Sequence, residues 1–334
     1  MTDNSRYRRP GYRITLGGTD ITPRVNGRLV RLTLREQRGL EADQLDLVLA
    51  DHDGALALPR RGAELAVAFG WQDEGLIDKG LFTVDEVQHS GAPDQLTLRA
   101  RSADLRGKLP GKRSQSWHEH TLGEIVDTIA QRHGLDPVIG DTLGGIRVGH
   151  IDQTDESDLN FLTRLGERFD AIAAVKAGRM LFTQAGQALT ASGLAMPGIA
   201  LARRDGDQHR YSTTDRDAYS GVKAFWNDTQ GAERQSVLAG SDDNAKQLRP
   251  TYGSEADALD AARAEWRRLQ RGLAEFELTM AHGRADVLPE SPLRVSGFKP
   301  EIDATPWLIT EVEHSLGDNG FGTRMQCEVM GGAA

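Results

Sequence analysis

Carboxylates, histidines or phosphate-binding glycines at workable spacing are the first sign of chemistry in a chain, and four stretches offer them. The segment DESDLNFLTRLGERFDA, from Asp155 to Ala171, gathers Asp155, Glu156, Asp158, Glu167 and Asp170. Two such groups positioned together in a cleft could share acid and base roles. SWHEH at 116–120 presents His118 and His120, which on a strand or loop could both reach a metal. LPGKRS at 109–114 approaches a phosphate-binding loop, and DHDG at 51–54 has two acids and a glycine in the manner of a calcium loop.

Each stretch also has a plainer reading. Leu159, Leu162, Leu165 and Phe169 recur at spacings of three and four, which predicts a helix with one apolar face. Acids near its start suit the helix dipole, and Ser157 or Asp155 can cap its free amides. The carboxylates are therefore expected to serve the cap and the solvent. Phe161 lies off the stripe and is expected to touch a neighbouring element. SWHEH has no cysteine, no further histidine before His133, and no helical His-Glu-x-x-His spacing, so a tetrahedral set is incomplete. In the phosphate-type loop Arg106 stands where the first glycine belongs and Arg113 replaces the Ser/Thr. DHDG lacks further ligands and flanking helices, which leaves a hairpin turn. Cys327 alternates with apolar residues as a packed strand residue would. The sequence carries neither a Gly-x-Ser-x-Gly elbow nor a glycine-rich dinucleotide fingerprint. No catalytic, cofactor-binding or metal-ligating residue is assigned, and no cofactor is expected.

The elements around these residues are mostly strands. Up to residue 105, YRITLGG, RLVRLTLREQ, QLDLVLAD, AELAVAFGW, GLFTVDEVQ and QLTLRARSA mostly alternate apolar and polar residues between Gly, Asp and Pro punctuation. This predicts a small antiparallel barrel or sandwich. A basic Gly/Ser connector, RGKLPGKRSQSWHEH, leads into TLGEIVDTIAQRH, where Thr121 and Glu124 form a capping box ahead of the apolar positions Leu122, Ile125, Val126 and Ile129. Gly134 ends that helix. IAAVK-AG-RMLFT is expected to form a hairpin over both helices. Strand patterns return after residue 198, interrupted by a helix at 254–271 that Ser254 caps, with Leu259, Ala262, Trp266 and Leu269 facing inward.

A weak repeat organises the whole. FTVDEVQHS at 82–90 aligns with WLITEVEHS at 307–315 without gaps. Phe82 matches Trp307, Val84 matches Ile309 and Val87 is identical to Val312. Leu65–Val67 and Leu293–Val295 lie upstream, and each segment leads through a turn into another alternating strand. The reading is an α+β, mainly β fold with two related antiparallel β-barrels joined by a helical module. Its boundaries are 1–108, 109–190 and 191–334.

Composition removes several function classes. The 334 residues are 38% hydrophobic and have no apolar run long enough to span a membrane, so insertion is not expected. The basic start has no apolar stretch behind it, unlike a signal peptide. One cysteine cannot form an internal disulfide, which fits synthesis in a cytoplasm. Residues 1–113 hold 18 Lys+Arg against 16 Asp+Glu, and the remainder 22 against 33, giving the net −9. Sequence-specific nucleic-acid binding needs a cationic face, which this acidic majority does not favour.

ESDLNFLTRLGERFDAIAAVKAGRMLF, preceded by TLGEIVDTIAQRHGL and followed by SGFKPEIDATPWLITEVEHSLGDNGFGTRMQCEVM, resembles the phage late control protein D family. These are baseplate hub proteins of contractile-tailed phages and tailocins, and the resemblance covers nearly the whole chain. It implies a tail-baseplate location and two tail-tube-like barrels linked by α/β modules, with a homotrimer setting six barrels around a channel. The implied partners are a spike protein, the tail tube protein, baseplate wedge proteins and the tape-measure protein. Related type VI secretion spike proteins carry a C-terminal spike of repetitive strands. This sequence stops at EVMGGAA after its last strand, so the spike is expected on a separate polypeptide. The competing readings are a tail-borne peptidoglycan hydrolase, with the acidic helix as its site, and the hub part of a type VI secretion-like spike complex.

Overall fold

The computed structural model describes residues 8–102, 111–176, 178–186, 188, 194–213, 219–228, 231 and 233–331. Residues 106–110 of the phosphate-type loop, part of the Gly/Ala/Ser-rich link near 185–198, and the chain ends lie outside the described residues.

The N-terminal part contains β1 (Pro10–Leu16), β2 (Thr19–Asp20), a one-turn α1 (Thr22–Val25), β3 (Leu29–Gln37), β4 (Gln44–Ala50), β5 (Glu64–Trp71), β6 (Gly75–Ser90) and β7 (Gln95–Ser102). Alternation aims Leu32, Leu34, Leu45, Leu47, Leu96 and Leu98 to one side, where all are buried with Phe69 and Phe82. DHDG is a turn between β4 and β5, which pair with other strands and not with each other. Its acids are engaged: Arg28 Nη1 donates to Asp53 Oδ1 at 2.7 Å, and buried Asp51 accepts from the Leu56 amide at 3.0 Å.

The middle part contains β8 (Lys112–Thr121), α2 (Leu122–His133), β9 (Asp136–Ile139), α3 (Asp141–Gly144), β10 (Arg147–Ser157), α4 (Asp158–Phe169), β11 (Ala171–Lys176) and β12 (Arg179–Gln184). Both capping-box bonds at Thr121 and Glu124 are present, and Gly134 closes α2 at φ 67°, a conformation with little penalty for glycine. Leu122, Ile125, Val126, Ile129, Leu162, Leu165 and Phe169 are buried in one core, with Leu159 partly buried against it. One expectation changes. The basic connector is, over its described residues, largely a strand, because β8 pairs antiparallel with β10. Phe161 touches a neighbouring element as expected: it stacks on Trp117 of β8 with centroids 6.1 Å apart, and it is fully buried in the same core.

The C-terminal part contains β13 (Ile199–Ala202), β14 (Gln208–Thr213), β15 (Gly221–Asp228), β16 (Glu233–Gly240), β17 (Ala245–Tyr252), α5 (Glu255–Arg271), β18 (Ala274–Met280), β19 (Pro292–Ser296), α6 (Pro300–Asp303), β20 (Trp307–Gly317) and β21 (Gly320–Val329). The long helix does not interrupt the strands alone. It packs on a separate three-stranded sheet, β16-β15-β17, inserted between β14 and β18. Ala258 and Ala262 are fully buried there, and Trp266 and Leu269 pack against them. Leu259 is only half-buried, because the alanines occupy the contact line with the sheet.

One sheet path joins both halves, in the order β14-β18-β21-β20-β3-β4-β7-β6-β5-β1-β2, with β13 on β19 and β19 on β20. The fold is thus mainly β. Among the described residues the path is open at both ends and crosses between halves where β3 meets β20. The two matched segments sit in matching registers. Leu65 pairs with Phe82, as Leu293 pairs with Trp307. Val84 lies opposite Ala100 and Ile309 opposite Cys327. A register slip falls between Val84 and Glu86, and another between Ile309 and Glu311. Phe82, Val84, Trp307, Ile309 and Val312 are buried, while Val87 is half-buried.

Candidate functional site

The acidic segment divides into surface pairs and buried clamps. Asp155 and Glu156 lie at the end of β10, not in the first helical turn. Asp155 meets Lys112 at 3.0 Å and Glu156 meets Arg164 at 2.7 Å. Ser157 is the helix cap, accepting from the Asn160 amide at 3.2 Å. Glu167 is exposed.

Asp158 and Asp170 contradict the expectation of a solvated role. Asp158 is fully buried and accepts from His133 Nε2 at 2.7 Å, Gln153 Nε2 at 2.9 Å and Arg132 Nη1 at 3.2 Å, with Arg113 Nε at 3.3 Å. Asp170 ends α4 at φ 54°, is 3% exposed, and receives both guanidinium arms of Arg271 on α5. Arg267 Nε approaches Asp170 at 3.3 Å, and Arg271 Nε lies 3.2 Å from Glu328 on β21. Arg38, at the end of β3, also binds Glu328 and comes within 3.8 Å of Glu290. This cluster therefore joins β3, the end of α4, α5 and β21. Burial opposes the charge on Arg271, but the Asp170 bonds outweigh it and raise its pKa. Burial pushes Glu290 up to about 7, against Arg38 and with the neighbouring Glu328.

A second buried cluster holds the two halves together. Lys79 Nζ donates to Glu36 Oε2 at 2.7 Å, His314 Nε2 lies 3.1 Å from the same oxygen, and His314 Nδ1 lies 3.0 Å from Thr323 Oγ1. Burial lowers the His314 pKa, whereas Glu36 is lowered despite burial by His314 and Lys79. The arrangement is a lysine–glutamate pair with a neutral imidazole beside it.

These placements bear on catalysis and metal binding. The cleft of about 690 Å³ between α4 and α5 is lined by Glu167, Asp257 and Glu265. Asp257 is bound to Arg168 at 2.6 Å, and Glu265 to Lys246 at 2.7 Å. Its carboxylates thus include two held as ion pairs, a state that suits bracing better than proton transfer. Glu290, whose pKa would suit an acid or base, lines none of the larger clefts described. His118 stacks on His150 across β8 and β10, centroids 4.4 Å apart, instead of joining His120. Among the described residues no group of three or more His, Cys, Asp or Glu is placed to hold a metal. Sequence reasoning missed Lys79, Glu36, Arg38, Arg271 and Glu328; their partners lie tens to hundreds of residues away, beyond any local pattern.

A profile of the phage tail baseplate hub (GPD) family matches residues 39–320. The chain belongs to that family. It is 45% identical to the probable baseplate hub protein of Escherichia phage 186, over 96% of this chain and 93% of that one. It is 44% identical to the corresponding protein of Escherichia phage P2, with the same coverage. Among solved structures, a 43 kDa tail protein of prophage MuSo2 from Shewanella oneidensis shares the fold, with TM-score 0.66, 15% identity and coverage of 95% and 98% of the two chains. So does an Escherichia coli type VI secretion component described as similar to T4 tail proteins gp27 and gp5, with TM-score 0.54, 16% identity and coverage of 90% and 73%. The protein is a baseplate hub of a phage tail, and the buried clusters are the fastenings within that hub.

Proposed function

We propose that three copies of this hub form a pseudo-six-fold ring that joins the tail tube to the spike, and that the protein acts by structure and not by catalysis. The observation that carries this reading is the repeated register. The sheet order β3-β4-β7-β6-β5 recurs as β14-β18-β21-β20-β19, with the slip after Val84 mirrored after Ile309, while the outermost strands differ, β1 lying antiparallel on β5 and β13 parallel on β19. A matched bulge in matched strands is a family trait of duplicated units, since a bulge fixes local twist and register. Phe82, Val84 and Val87 are then the counterparts of Trp307, Ile309 and Val312, and each half is a tube-like barrel unit completed by its neighbours. Two units per chain give six-fold symmetry with three chains, and a closed ring satisfies every subunit contact. The Leu122, Ile125, Ile129, Leu159, Leu162, Leu165 and Phe169 cluster gives the helical module between the two units a core of its own. The partners in this reading are the tube, spike, wedge and tape-measure proteins.

Light scattering tests the stoichiometry. In complex with the spike, the mass left after subtracting the spike should be about three times 36.5 kDa; two or four hub chains per complex would overturn the ring. A peptidoglycan zymogram should show no cleared band at the mass of this chain, and a clear band there would overturn the structural assignment.

A further inference from the structure

We infer that β14 of one protomer adds antiparallel to the exposed edge of β6, at Val87–Ser90, of a second copy. This deepens the proposed ring and rests on it, but the contact itself is read from within one chain.

The template is the junction between the halves. β3 lies antiparallel on β20, with Glu36 opposite Val312, Arg35 opposite Glu313, Leu34 opposite His314 and Thr33 opposite Ser315. β20 has room for it because β19 pairs only as far as Leu308. On the corresponding side of β6, β5 runs out at Thr83, and among the described residues no strand continues along Glu86–Ser90. The burial pattern records the difference. Val312 is fully buried and His314 is 1% exposed, whereas Val87 is half-buried and the side chain of His89 is 40% exposed.

The strand that would fill the gap is identified by the same ladders. Leu34 is opposite Leu45, Leu45 opposite Ala100, and Ala100 opposite Val84. Tyr211 is opposite Phe276, Phe276 opposite Cys327, and Cys327 opposite Ile309. Tyr211 thus stands in its half where Leu34 stands in the first, and β14 is the counterpart of β3. β3 is occupied on both sides, by β4 and β20, while β14 pairs with β18 alone among the described residues. Transferring the junction register sets Thr213 opposite Val87, Ser212 opposite Gln88, Tyr211 opposite His89 and Arg210 opposite Ser90. Each protomer then offers one strand and one edge, and backbone bonding supplies the adhesion as in other strand-addition contacts. The occupant is a second copy, because among the described residues β14 is the counterpart of the strand that fills the equivalent gap on β20.

The test is a cysteine pair, Q88C/S212C, carried in assembled tail particles and oxidised before denaturing electrophoresis. Facing residues of an antiparallel pair lie within disulfide reach. The expected product is a covalent ladder ending at three chains, absent from Q88C alone and from Q88C/H209C, whose second cysteine is displaced by roughly 10 Å along the strand. Hydrogen exchange on the wild-type protein should slow at Gln88–Ser90 and Tyr211–Thr213 on assembly, a readout that needs no substitution. A trimeric mass with no cross-link, equal yields from the displaced pair, or unchanged exchange would overturn this contact and leave the ring reading standing. A ladder passing three chains would overturn closure, and particles with no trimeric hub would overturn both.

Discussion

Arg271 and Asp170, 101 residues apart, meet as a forked pair in which Arg271 Nη1 donates to Asp170 Oδ2 at 2.7 Å. Both are nearly excluded from solvent. Removing either partner leaves the other's buried charge with only a flanking counterion, Arg267 for Asp170 and Glu328 for Arg271, so Asp170→Asn or Arg271→Met should each cost up to ~3–5 kcal/mol of stability. The double variant should cost less than the sum. Urea unfolding of the four species measures this coupling, and strictly additive costs would mean that the pair does not act as a unit.

The pH response of the same junction has a defined sign. Glu290 holds its proton up to about pH 7 when folded, but an unfolded glutamate releases it near 4.5. Between those values the folded state binds more protons, so this residue lowers stability as pH rises and adds no further change above about 7. Glu290→Gln should therefore leave the melting temperature near its original value at pH 4 and raise it at pH 8. Thermal scans at the two pH values distinguish this from an effect uniform in pH.

The acidic helix should separate core from surface. Leu162 is fully buried, so Leu162→Ala should cost ~2–5 kcal/mol. Glu167→Gln, on the exposed side, should change stability by less than about 1 kcal/mol and leave tail activity intact. Loss of activity in Glu167→Gln particles of normal assembly would instead point to chemistry at the cleft it lines.

A close backbone approach constrains Gly166 of α4. A Cβ there would stand 2.6 Å from the carbonyl oxygen of Ala171, where the chain turns back from the helix into β11. Gly166→Ala should destabilise despite alanine's better helix propensity, visible as a lower urea midpoint. An unchanged or higher midpoint would show that the turn can shift aside.

What the sequence disclosed follows the range of the forces involved. Helix α2 was legible because its cap, stripe and Gly134 are neighbours in sequence. The β6/β20 match was legible because alternation and identity survive side by side. The clamp role of Asp158 was not, since His133 and Arg132 come from a different helix and the neighbouring Asp155 does sit at the surface. Strand β8 was hidden by its composition: Lys112, Arg113 and the serines read as a linker, and only pairing with β10 makes them a strand. The inserted sheet behind α5 was missed in part because β17 is polar, its residues Ala245–Tyr252 being largely exposed or half-buried.

The open edge of β6 carries Glu86, Gln88, His89 and Ser90, and the free side of β14 belongs to a strand with Gln208, His209, Arg210 and Ser212. Water can solvate all of these while the edge stands bare, whereas an apolar edge would gather any passing strand. In the proposed ring, a chain with such edges would resist indiscriminate pairing, and a single strand pairing would bring it little reward. In that ring, the gain would come when the last gap closes and every edge is satisfied together. Construction of the tail would then be timed by the arrival of whatever gathers three chains, and not by the chain's own appetite for its kind.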